Sequence, residues 1–269
     1  MNWRESDLLQ SLIEKARPGL ITDMDGTISP IVDYPDEAQI TPKSRQLLRA
    51  LQSCLSLVAI VSGRSADDVR QRVGLSGLVY IGNHGLERWN GQKVVLTPTA
   101  ARFRPNLEAA SQRLSAQMLP GMLVEDKGAT LSIHYRKTEN PTAAAKTFGP
   151  ILESIAHEYD LHLFWGRMVF ELRPPVEVNK GTVFRQLVEE YDLDAALYIG
   201  DDTTDVDALR MARHLRAESR CYAVGVGVES PDMPDSVAAS ADIMASGVSD
   251  VEALLDWLFK ARRASSTCM

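Results

Sequence analysis

Two aspartates separated by one residue, in Asp23-Met24-Asp25-Gly26-Thr27, follow the short apolar run Gly19-Leu20-Ile21-Thr22. A second acidic group, Gly200-Asp201-Asp202-Thr203-Thr204-Asp205, follows the apolar run Ala196-Leu197-Tyr198-Ile199. Carboxylates gathered in this way repel one another unless a cation joins them. Brought together, the two groups could hold one hard cation against one phosphate. An aspartate attacking a phosphate monoester meets anion–anion repulsion, which a bridging divalent cation relieves. Magnesium suits these residues, because it takes oxygen ligands in an octahedron, keeps several waters and needs only one or two protein carboxylates. Asp23 is then nucleophile and ligand. Asp25 offers its backbone carbonyl to Mg2+, while its carboxyl protonates the leaving alkoxide and later activates water. Asp201 completes the metal site, and Asp202 and Asp205 either ligate through water or fix the surrounding shell.

Other uses of these carboxylates do not match the spacing. A twelve-residue calcium loop begun at Asp23 puts Ile28 where glycine is required and Tyr34 where the bidentate glutamate belongs. Begun at Asp201, it puts Val206 and Ala212 at those places. Gly225-Val226-Gly227 starts like a dinucleotide fingerprint, but Ser230 stands at the third glycine. A phosphate would need further donors. Ser62-Gly63-Arg64 ends another apolar run, where the Ser62 hydroxyl and adjacent backbone N–H groups can bind phosphate oxygens, or where the segment is an ordinary turn. Lys180-Gly181 opens a helix, placing an ammonium beside a helix N-terminus to compensate phosphate and Asp23.

The elements that must position these groups are legible as alternating patterns. Apolar runs at Leu20–Thr22, Leu57–Val61, Leu78–Ile81, Ala196–Ile199 and Tyr222–Val226 read as parallel strands. Amphipathic segments between them carry helix starts, Thr41-Pro42 and Ser65 with Asp67 and Asp68 in its first turn. Strand and helix in alternation predict an α/β fold with a doubly wound parallel sheet, whose reactive groups lie at the carboxyl ends of the strands. Between Phe103 and Arg173 the pattern changes to helix, two alternating strands, helix and a hairpin turning at Gly166-Arg167. The expected organisation is a core of residues 1–102 and 174–269 interrupted by an α+β module, 103–173.

Composition narrows the classes. A hydrophobic share of 45% with 24% charged residues fits a globular chain. A net charge of −7 argues against gripping nucleic acid through many phosphates, while leaving room for a small anion in a local pocket. No stretch is long enough to span a bilayer and Met1–Asp7 lacks a signal-peptide core, so a cytoplasmic protein without membrane contact is expected. Cys54, Cys221 and Cys268 lack metal-binding spacing and read as free thiols.

The order Asp-x-Asp-Gly-Thr, strand-terminal Ser, helix-opening Lys and Gly-Asp-Asp resembles the four motifs of haloacid-dehalogenase-superfamily phosphatases. Asp23–Ile31, Val61-Ser62-Gly63-Arg64, Gly82-Asn83-His84-Gly85-Leu86-Glu87, Glu125-Asp126-Lys127, His134-Tyr135-Arg136, Glu171-Leu172-Arg173-Pro174 and Gly200–Asp205 together resemble the trehalose-6-phosphate phosphatase family. The resemblance implies a Rossmann-like core with an inserted cap and Mg2+-dependent hydrolysis of trehalose 6-phosphate, the alternatives being a phosphatase for another sugar phosphate, such as sucrose phosphate or a glycosyl-phosphoglycerate, or a non-catalytic phospho-sugar-binding module. It further implies functional coupling to a trehalose-6-phosphate synthase, with a monomer expected here. It implies that Glu125, Lys127, Arg136, Arg167 and Glu171 face the disaccharide, whose hydroxyls need charged donors and acceptors. Alternatively, Lys127 and Arg136 are cross-strand partners of acidic neighbours. His84 either contacts substrate or Asp25, or is a structural residue.

Overall fold

The computed structural model describes residues 3–32, 34–166, 168–230 and 233–265. Arg167 and Cys268 lie outside the described residues. The described strands are β1 (Pro18–Thr22), β2 (Leu57–Val61), β3 (Val79–Gly82), β4 (Glu87–Trp89), β5 (Val94–Leu96), β6 (Leu123–Asp126), β7 (Leu131–His134), β8 (His162–Gly166), β9 (Val169–Arg173), β10 (Ala195–Gly200), β11 (Tyr222–Val228) and β12 (Ile243–Ala245).

The chain forms two compact units. The first comprises residues 1–85, 91–93 and 178–269. Its parallel strands run in the order β12-β11-β10-β1-β2-β3. Every residue of β1, β2 and β10 is buried, which is why these segments are continuous apolar runs without alternation. The chain leaves β1 toward β2 on one side and returns as β10 on the other, so the sheet reverses its winding at β1. A crevice opens at the carboxyl ends of strands at such a switch point.

Local sequence sets the helix starts. Thr41 and Ser65 cap the helices Pro42–Leu51 and Ala66–Val73, accepting from the N–H groups of Ser44 and Asp68. Gly74, in the left-handed conformation at φ 64°, ends the second. Asn179 and Thr182 form a reciprocal cap at the start of Lys180–Glu190, fixing where Lys180 leaves the backbone. That helix and Val206–Ala217 bury Val183, Phe184, Leu187, Leu209, Ala212 and Leu215 against the sheet.

The second unit comprises residues 86–90 and 94–177. Its sheet, β6-β7-β9-β8, is antiparallel. Ile133, Phe170, Leu131 and Leu172 pack from one face with Leu107, Leu114, Phe148 and Leu152 of the helices Arg104–Ser115 and Pro141–Glu158. The unit begins at Leu86 and ends at Glu177, wider than the 103–173 read from the sequence. The difference comes from the β4–β5 hairpin, paired Glu87↔Leu96 and Trp89↔Val94, and the short helix Pro98–Arg102 capped by Thr97, which carry little periodicity of their own. Among the described residues no helix is long and apolar enough to cross a membrane.

Candidate active site

Sheet register brings the two acidic groups together. Thr22 pairs with Ile199 of β10 and with Ile60 of β2, so the residues just beyond β1 meet those just beyond both neighbours. The Asp23 N–H donates to the Ile199 carbonyl at 2.8 Å, continuing the ladder one step past the strand. The chain then turns sharply, with the Met24 carbonyl accepting from the N–H groups of Ile28 and Ser29, each at 3.0 Å. Gly26 has φ +78°, and a Cβ there would lie inside the Asp201 carboxylate. Only glycine meets both demands.

One carboxylate oxygen from each of Asp23, Asp201 and Asp205 lies within 4.8 Å of the others, all three residues being buried. Lys180 enters from its helix N-terminus, its Nζ 3.0 Å from Asp23 Oδ1 and 2.8 Å from Asp205 Oδ1. Asp205 Oδ1 also accepts from the Tyr198 hydroxyl at 2.6 Å, and its Oδ2 from the N–H groups of Asp201 at 3.2 Å and Asp202 at 3.0 Å. Both Asp205 oxygens are therefore occupied. The Thr27 hydroxyl donates to Asp201 Oδ1 at 3.2 Å. Asp202 is exposed and caps the turn Thr203–Asp205.

Burial pushes the Asp23 carboxyl well above the usual carboxylate range, with Lys180 opposing and Asp205, Asp201 and Asp25 reinforcing the rise. Burial, then the Asp205 charge, pushes Asp201 up to about 7. Burial would lower the Lys180 ammonium, but Asp205 and Asp23 outweigh it and raise it. Three carboxylates face one ammonium, and the donors are all oxygen. That set fits a hard divalent cation.

Around this centre stand the other core residues singled out in the sequence. The Ser62 Oγ accepts from the Arg64 N–H at 3.2 Å. The Arg64 guanidinium forks onto Asp25, with Nε to Oδ2 at 2.6 Å and Nη2 to Oδ1 at 3.0 Å. The Ser62–Arg64 segment is expected at phosphate through its hydroxyl and backbone N–H groups, and the Arg64 side chain holds the second aspartate of the pair. Asn83 and His84 adopt positive φ, 47° and 57°, and donate their N–H groups to the carbonyls of Arg64 and Ser62 at 2.8 and 3.0 Å. A Cβ at Gly63 would sit 2.7 Å from the His84 ring, so glycine lets the imidazole lie against this loop.

In the second unit, Glu125, Ser132, Glu171 and Phe164 form one cross-strand row on the face opposite the apolar core. Glu125 Oε2 meets His134 Nε2 at 2.9 Å. Glu171 Oε2 accepts from Arg173 Nε at 2.7 Å, and Lys127 Nζ stands 3.8 Å from its Oε1. Arg136 is exposed in the turn after β7. Sequence reasoning missed Tyr198, hidden as one more apolar-looking position of β10. Thr27 and Arg173 stood inside quoted motifs without a role.

The switch-point crevice, its carboxylates and the inserted antiparallel unit define the fold of haloacid-dehalogenase-like hydrolases. A haloacid dehalogenase-like hydrolase from Bacteroides thetaiotaomicron superposes with a TM-score of 0.62 at 14% identity, over 90% of this chain and 99% of the other. A protein described as related to trehalose-6-phosphate phosphatase superposes at 0.72 with 22% identity, over 90% and 97%. Both likenesses concern the fold. A family model described as trehalose-phosphatase matches residues 21–241, and the chain belongs to that family. The probable trehalose-phosphate phosphatase J of Arabidopsis thaliana is 34% identical over 228 residues, 77% of this chain. The chain spans 61% of that protein's length.

Proposed function

We propose that the chain is a magnesium-dependent phosphatase converting trehalose 6-phosphate to trehalose and inorganic phosphate through a phosphorylated Asp23. The observation that carries this reading is the buried Asp23 oxygen held 3.0 Å from Lys180 inside an acidic triad. In the first half of the reaction an Asp23 oxygen forms a bond to phosphorus as the bond from phosphorus to the sugar oxygen breaks. The Asp25 carboxyl gives that oxygen a proton. In the second half, Asp25 takes a proton from water, which attacks phosphorus, and the bond from phosphorus to Asp23 breaks to free phosphate.

Lys180 fixes the attacking oxygen and offsets phosphate charge, while the Ser62 hydroxyl and the Gly63 N–H bind phosphate oxygens and the Arg64 N–H, on Ser62 Oγ, holds that hydroxyl in place. The carboxylates of Asp23 and Asp201 and the carbonyl of Asp25 would hold Mg2+, which supplies neutralisation of the developing charge. Asp205, its oxygens committed to four donors, orients Lys180 and the Asp201–Asp202 backbone, and Asp202 caps the turn beside them. His84 buttresses the Ser62–Arg64 loop. Sugar recognition belongs to Glu125, Lys127, Arg136 and Glu171, with Arg167.

The family supports the choice of sugar. In this reading the enzyme acts as a monomer in the cytoplasm on the product of a trehalose-6-phosphate synthase, a compartment that suits the buried Cys54 and Cys221 thiols. Phosphate release from trehalose 6-phosphate, sucrose 6-phosphate, glucose 6-phosphate and a glucosyl-phosphoglycerate, with Mg2+ and with EDTA, tests it. Trehalose 6-phosphate should lead in kcat/KM by about tenfold or more, since hydroxyl-reading sites discriminate strongly, and EDTA should abolish release. Preference for another sugar phosphate, or indifference to chelation, would contradict the proposal.

A further inference from the structure

Arg64, Asp68 and Arg72 recur every four residues, which aligns their side chains along one face of the helix Ala66–Val73 and its approach. Their charges form an unbroken chain. Arg72 Nη1 is anchored by the carbonyls of Asp36 at 3.0 Å and Ala38 at 2.6 Å, and its Nε reaches Asp68 Oδ1 at 2.8 Å. The other Asp68 oxygen accepts from Arg64 Nη1 at 3.1 Å. Arg64 then spends its remaining two nitrogens on Asp25. Asp68 is itself placed by its N–H, which donates to Ser65 Oγ at 3.2 Å.

A guanidinium forked onto one carboxylate is a flat, directional clamp, but its long stem is flexible and needs a second contact to fix the plane. Asp68 supplies that contact. We propose that Asp68 is a positioning residue for the reaction: it locks Arg64, and through Arg64 it sets the orientation of the Asp25 carboxyl toward the leaving oxygen. This rests on the reading of Asp25 as the leaving-group acid. It adds a residue read in the sequence only as part of a helix start, whose carboxylate meets Arg64 and Arg72 rather than the acidic centre.

The consequence is a dependence on the leaving group. A nitrophenolate departs without a proton, whereas phenolate and alkoxides need one, so misaiming Asp25 lowers kcat/KM, which reports the first half of the reaction only, for the poorer leaving groups alone. The test is kcat/KM for a graded series of aryl phosphates from p-nitrophenyl to phenyl phosphate in wild type, Asp68→Asn, Asp68→Glu and Asp25→Asn. None of these substrates carries a sugar, so the outcome is independent of the choice of trehalose 6-phosphate. Asp68→Asn should lower kcat/KM about tenfold for phenyl phosphate and less than about twofold for p-nitrophenyl phosphate, a fraction of what general acid catalysis contributes. Asp68→Glu should recover most of the loss, and Asp25→Asn should steepen the series further.

An equal loss across the series in Asp68→Asn, beside a steepened series in Asp25→Asn, overturns the role of Asp68 alone. A flat series in Asp25→Asn overturns the acid reading and this inference with it. Should Asp68→Asn fail to fold, Arg72→Gln loosens the clamp from its far end and must steepen the series in the same sense; a flat result there overturns the proposal.

Discussion

Lys180 and Asp23 are joined by a 3.0 Å ion pair whose ammonium is 2% exposed and whose carboxylate is 8% exposed. In so dry a setting, fixed charge acts at full strength on charge that develops during reaction. Lys180→Ala should lower kcat by about 10²–10³, the usual loss for one preorganised donor. Steady-state kinetics with near-ultraviolet circular dichroism checks it. A folded variant with near-normal kcat would remove Lys180 from the chemistry.

Gly26 makes a sharper geometric prediction. Its φ of +78° disfavours any side chain, and a Cβ would press on the carboxylate of Asp201. Gly26→Ala should cost about 1–3 kcal/mol in backbone strain, and should weaken Mg2+ binding by displacing Asp201, raising the Mg2+ concentration the enzyme needs. Thermal unfolding and the Mg2+ concentration at half-maximal activity report the two effects separately. An unchanged Mg2+ requirement would mean that Asp201 does not hold the ion.

The residues differ in how much of their position the sequence carried. A parallel strand buried on both faces is a continuous apolar run, so β1, β2, β10 and β11 could be read directly. The acidic groups at the ends of β1 and β10 then had to share one edge. The three-residue β12 and the β4–β5 hairpin were too short for periodicity to mark them, and their place depends on pairing partners distant in sequence. Arg64 shows the limit at the site. Its neighbours Ser62 and Gly63 suggest phosphate, but only the folded chain puts Asp25, 39 residues away in sequence, within reach of the guanidinium. Tyr198 was hidden by a similar ambiguity, since a tyrosine in a buried strand is ordinary until its hydroxyl is seen to meet Asp205.

Cys221 sets an alkaline dependence of stability. Burial, with the charge of Asp194 adding to it, pushes its thiol up to about 12. In the unfolded chain the thiol titrates near ~8.5, so the folded form retains its proton where the unfolded form loses it. The resulting stability is complete below pH ~8.5 and declines from there as pH rises through the folded value. Cys221→Ala should therefore lose less stability than wild type between pH 7 and pH 10. Thermal unfolding at the two pH values checks this, and identical losses in both proteins would contradict it.

The most direct measurement is capture of the phosphorylated enzyme. During turnover of trehalose 6-phosphate with Mg2+, rapid acid quench followed by borohydride reduction converts an acyl phosphate to the corresponding alcohol, readable by peptide mass spectrometry. Homoserine is expected at position 23, absent in Asp23→Asn, a variant that also releases no phosphate while remaining folded. Sustained phosphate release by Asp23→Asn, or an adduct found on another residue, would contradict it.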